Sequence, residues 1–101
     1  MKRPRQCAEW KRISSELYQL QLDKNADYGP HAIIGAGQIG VITSIWHKVA
    51  RLMELTGFNI ETGEYTGPKT TKVNEPIEET LRDLANYCII GMIVRKNLWG
   101  K

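Results

Sequence analysis

From Cys88 to Val94 the chain reads Cys-Ile-Ile-Gly-Met-Ile-Val, seven residues without a charge. They continue a segment whose apolar spacing is helical, so they form a helix end that is apolar nearly all round. A helix without a polar face is normally buried on every side. The run is far too short to cross a bilayer and contains Gly91, so its cover comes from protein. The sequence has 101 residues, which suits a single domain. A lone domain of this size buries somewhat under about 70% of its unfolded-chain surface. So few helices fit in that length that full cover calls for another subunit. A homo-oligomer is therefore expected.

The rest of the chain also has helical periodicity. Trp10, Ile13, Leu17 and Leu20 recur at steps of three and four, an amphipathic seam predicting a first helix over 7–22. Residues 1–6 are expected to be a flexible basic N-terminus. The segment 23–30 reads Asp-Lys-Asn-Ala-Asp-Tyr-Gly-Pro, and its Gly29-Pro30 pair predicts a turn. A second helix is predicted over 38–55. Val41, Ile42, Ile45, Trp46, Val49, Leu52 and Met53 share one side, and Thr43, Ser44, His47, Arg51 and Glu54 lie opposite, with Lys48 at the edge. Gly57 provides a stop. Segment 57–74 is a long loop in which Thr62-Gly63 can turn a short β-hairpin. Asn74 caps a third helix, with Pro76 in its first turn and Glu75, Glu78 and Glu79 at the positive end of its dipole. Ile77, Leu81, Leu84, Ala85, Cys88 and Met92 form its apolar side. Glu79, Asp83 and Asn86 line up opposite. The fold class is mainly α: a single domain over 1–101, built as a bundle of three to four helices.

Charge and cysteine content narrow the function. The net charge is +3, with 25% charged and 42% hydrophobic residues, an ordinary globular composition. This mildly basic balance suits a nucleotide phosphate. Dense Lys/Arg clustering is confined to the first twelve residues, which argues against a duplex nucleic acid partner. The two cysteines, Cys7 and Cys88, are too few for a disulfide scaffold. Both are expected to be free thiols, with Cys88 in the core. No secretory leader is visible, and a cytoplasmic protein that contacts no membrane is expected. Gly35-Ala-Gly37-x-x-Gly40 formally matches a dinucleotide fingerprint. It lacks the preceding strand and βαβ unit that give the fingerprint its chemistry, and it reads as a helix lead-in.

Three groups of residues can carry chemistry. Glu79 and Asp83 place two carboxylates one turn apart, a spacing that suits Mg²⁺ shared with substrate phosphates. Arg51 can clamp a phosphate bidentately and Lys48 can supply a point charge, while His47 can serve as a general base or a ligand. Lys24, Asp27 and Tyr28 offer charged and aromatic groups on a turn. The plainer reading of both helical stripes is a solvated face, and the plainer reading of Asp27 and Tyr28 is that Asp27 caps the turn while Tyr28 packs.

The order Lys24-Asn-Ala-Asp27-Tyr28-Gly29, His47-Lys48-x-x-Arg51-Leu52, and Glu75-x-Ile77-Glu78-Glu79-Thr80-Leu81-x-Asp83-Leu84-Ala85-Asn86-Tyr87 resembles the nucleotide-modification-associated domain family of phages and bacteria. That family resembles in turn the MazG-like all-α nucleotide pyrophosphatases. The resemblance implies a MazG-like, oligomeric phage protein with Glu79 and Asp83 on the metal. It implies nucleotide contacts from Lys24, Asp27, Tyr28, Lys48 and Arg51, and His47 and Asn86 on the two helical stripes are added to the nucleotide-binding candidates. His47 stands where the family pattern has an Asp, which removes a ligand from a hard cation. Two functions are thus expected. One is binding without turnover, such as sequestering a signalling nucleotide of host anti-phage defence or a role in nucleotide metabolism, in the host cytoplasm. The other is a Mg²⁺-dependent nucleoside triphosphate pyrophosphohydrolase linked to DNA base modification.

Overall fold

The computed structural model consists of three helices: α1 (Pro4–Tyr28), α2 (His31–Thr56) and α3 (Asn74–Arg95). It describes residues 2–28, 30–68 and 74–101, without the side chains of 26–28 and 74–75. The mainly α reading holds, and no strand forms among the described residues.

Helix α1 is longer than its apolar seam. It begins at Pro4, inside the stretch expected to be flexible. Proline at the first helical position needs no hydrogen bond there and has a suitable φ. The helix also runs through 23–28, where a turn was expected. Gln19 Nε2 donates to Asp23 Oδ1 at 3.0 Å and Gln21 Nε2 donates to Asn25 Oδ1 at 3.4 Å. Such i,i+4 pairs carry a helix past weak formers. Arg12 is paired with Glu9 and Glu16. The hydrogen bond its guanidinium donates to Glu9 and the charges of both carboxylates hold its pKa above the ordinary value.

Helix α2 takes in the Gly-rich lead-in as well as 38–55. Its regular geometry breaks at Gly37, with φ 65 and ψ −162. Only glycine reaches this region without strain, so the helix kinks there. Gly57 closes α2 in the left-handed conformation, and its N–H donates to Met53 O at 2.9 Å.

Helices α2 and α3 make the one extensive helix–helix contact among the described residues. They run antiparallel: Val41 meets Gly91 near one end, and Lys48 meets Asp83 further along. A Cβ at Gly91 would stand 3.3 Å from Val41 Cγ1, so this glycine lets the helices approach closely. Leu17, Val41, Leu55 and Ile90 form the small apolar core.

The faces fall differently from the expected stripes. Asn86, placed on the polar side of α3, is buried, while Leu81 and Met92 from its apolar side are exposed. Cys88, expected in the core, is exposed, and both thiols are free. On α2, Ile42 and Trp46 are exposed although their seam-mate Val41 is buried. On α1, Trp10 and Ile13 are exposed beside buried Leu17. On α2 and α3 the exposed apolar residues have one physical reason. A helix packed against a single neighbour covers a narrower arc than its apolar stripe spans.

Candidate functional site

The second half of α2 places His47, Arg51 and Glu54 at one-turn spacing, on one side of the helix. All three are exposed. Gly57 then reverses the chain, and the segment after it folds back beside them. Asn59 N donates to Glu64 O at 2.8 Å, Gly63 N to Asn59 O at 2.7 Å, and Thr66 N to Gly57 O at 2.8 Å. A single antiparallel bridge joins Phe58 and Tyr65. Thr62 and Gly63 lie in the turn, with φ 76 at Gly63, but no strand flanks it among the described residues, so the expected β-hairpin is reduced to this one bridge. Asn59 Oδ1 accepts from Glu61 N at 2.9 Å and firms the turn.

The loop and the helix enclose an open groove of about 730 Å³ walled by His47, Arg51, Glu54, Phe58, Asn59 and Glu64. Two of these residues, His47 and Arg51, are among the sequence-derived nucleotide candidates. Phe58, Asn59 and Glu64 were not. The signal that points to them is the length of the 57–74 connection, because a loop this long in a small domain is often functional. Residues 69–73 of that connection lie outside the described residues.

Lys48 leaves this group. It sits about 100° round the helix from His47 and turns to α3, where Nζ lies 3.1 Å from Asp83 Oδ2. Glu79 is exposed one turn before Asp83. Among the described residues no group of three or more His, Cys, Asp or Glu side chains is placed to hold a metal ion. Asn86 is buried, three residues beyond Asp83. Lys24 is exposed on α1 and is not part of the groove wall. Asp27 and Tyr28 belong to α1, and their side chains lie outside the described residues. The structure therefore joins His47 to Arg51 and Lys48 to Asp83, as two separate arrangements on α2.

Chemically, the groove offers a guanidinium and an imidazole for anionic oxygens, an aromatic face at Phe58, and two carboxylates. No described helix is long and apolar enough to cross a membrane.

The family model described as nucleotide modification associated domain 1 matches residues 24–94. The chain belongs to that family. The match takes in α2, the loop and α3, and leaves out most of α1. No curated protein and no solved structure matches this chain.

Proposed function

We propose that this family member binds a nucleotide in the groove between the second half of α2 and the 57–66 loop. The observation that carries the reading is the meeting of His47, Arg51 and Phe58 on one groove, inside the matched region. Arg51 is suited to clamp a phosphate through two parallel N–H bonds. His47, one turn earlier, adds a second donor. Phe58 is 40% exposed and offers a face on which a base can stack. The groove volume of about 730 Å³ falls in the usual range for small-molecule sites.

Retention without turnover is the favoured form, because the resemblance implies an Asp where this chain has His47. A role in sequestering a signalling nucleotide follows from that form. The reading also includes self-association of identical chains, because α3 leaves Leu81, Ile89 and Met92 exposed.

The test is incubation of the purified chain with a panel of dNTPs and cyclic or ADP-ribose-type nucleotides, with and without Mg²⁺, followed by denaturation and analysis. Intact nucleotide released on denaturation supports retention. Monophosphate with pyrophosphate identifies a hydrolase instead. If every nucleotide stays unbound and unchanged, the reading fails.

A further inference from the structure

The single chain exposes more surface than a compact protein of its mass. It presents 8074 Å² at 11.5 kDa, whereas the usual size scaling gives about 5,800 Å². Its radius of gyration is 15.9 Å, against about 13 Å for a compact chain of this length. The excess, on the order of 2,000 Å², exceeds the roughly 800 Å² per partner that a standard interface buries.

One face of the α2–α3 pair is apolar and open. On one side of the α2–α3 pair, apolar side chains line a furrow in two successive reaches. Ile42 and Ile45 face Cys88 and Met92 in the first. Val49 and Leu52 face Ile77 and Leu81 in the second. The reaches measure about 350 and 310 Å³. Charge enters only at one end, through Arg95. From Gln38 to Thr56 the furrow follows α2 for about 27 Å at the helical rise of 1.5 Å per residue.

We infer that a second copy of this chain covers the furrow, with the same face of the two copies packed together about a two-fold axis. The inference rests on the self-association proposed above and not on nucleotide binding. Lengths decide between the two apolar surfaces a second copy can offer. The exposed apolar side chains of α1 run from Trp10 to Leu22, about 18 Å, and leave about a third of the furrow open. A furrow paired with its own copy matches in length throughout, as a self-complementary two-fold interface does. The pairing also covers the apolar stripe of α3 that the single chain leaves in water.

The two cysteines allow a test on the intact chain. Both are exposed in one chain, but only Cys88 lines the furrow. In the paired state a water-soluble thiol reagent should modify Cys7 quickly and Cys88 slowly. Dilution should raise the Cys88 rate as the light-scattering mass falls toward that of one chain. Cys7→Ala assigns the slow thiol. Met92→Glu should weaken association by about 30-fold or more, the effect of a central interface residue, and make Cys88 fast while helical circular dichroism persists. If Met92→Glu fails to fold, the unaltered chain still decides through its mass and thiol rates. A single-chain mass at every concentration overturns self-association itself. An assembly in which Cys88 reacts as fast as Cys7, or which Trp10→Glu breaks and Met92→Glu does not, overturns the assignment of this face alone.

Discussion

Lys48 Nζ lies 3.1 Å from Asp83 Oδ2 across the seam between α2 and α3. Their side chains are 33% and 41% exposed, so water screens the pair. Exposed pairs of this kind contribute about 0–1 kcal/mol. The contact therefore matters more for where it holds Lys48 than for stability. Asp83→Asn should lower stability in urea unfolding by less than about 1 kcal/mol. It should also release the ammonium next to His47 and tighten binding of a triphosphate at low salt. Loss of binding in Mg²⁺ would instead make Asp83 a metal ligand.

Gly37 holds a conformation that other residues adopt only with strain, at φ 65 and ψ −162. Its kink places Gly37 and Ile34 beside Val94 and Trp99 near the chain end. Gly37→Ala should cost about 1–3 kcal/mol, read as a lower Tm. Tryptophan emission should shift to the red as Trp99 loses cover.

Gly57 is constrained twice. Its φ is 74, and a Cβ there would collide with the backbone of Gly67. Gly57→Ala should destabilise by about 2 kcal/mol or more, the left-handed strain and the clash acting together. Because Gly57 starts the loop that walls the groove, nucleotide affinity should fall with it. Gly63→Ala, also at positive φ but with open space around it, should cost only about 1 kcal/mol.

Asn86 is buried at 7% exposure and sits where α3 meets the rest of the chain. No side-chain hydrogen bond of Asn86 is seen among the described residues. Asn86→Leu puts an apolar side chain of similar volume in its place and should change stability in urea unfolding by about 1 kcal/mol or less. A loss of 2 kcal/mol or more would show that the amide is satisfied in solution.

The three helices and the stop at Gly57 could be read from spacing, breakers and caps. Their extents were less legible: Pro4 started α1 early, and the side-chain pairs from Gln19 and Gln21 carried it past Asp23. Periodicity told which residues share a side, as with His47, Arg51 and Glu54. It did not tell which side meets a neighbour. Asn86 shares its stripe with Glu79 and Asp83, yet Asn86 is buried while Glu79, Leu81 and Met92 are exposed. A stripe pattern is satisfied by cover from any source, including a second copy. The loop wall of the groove, Phe58 and Glu64, depended on hydrogen bonds between Gly57, Asn59, Glu64 and Thr66, which carry no periodic signal.

The central claim is that Arg51 grips the phosphate of a nucleotide in this groove. Calorimetric titration of the nucleotide retained from the panel, into the unaltered chain and into Arg51→Ala at one salt concentration, tests it most directly. Arg51 is exposed, so the variant should keep its helical content. Loss of a charged hydrogen bond worth about 1.5–3 kcal/mol should weaken Kd about 10-fold or more. An unchanged Kd in Arg51→Ala would contradict the account.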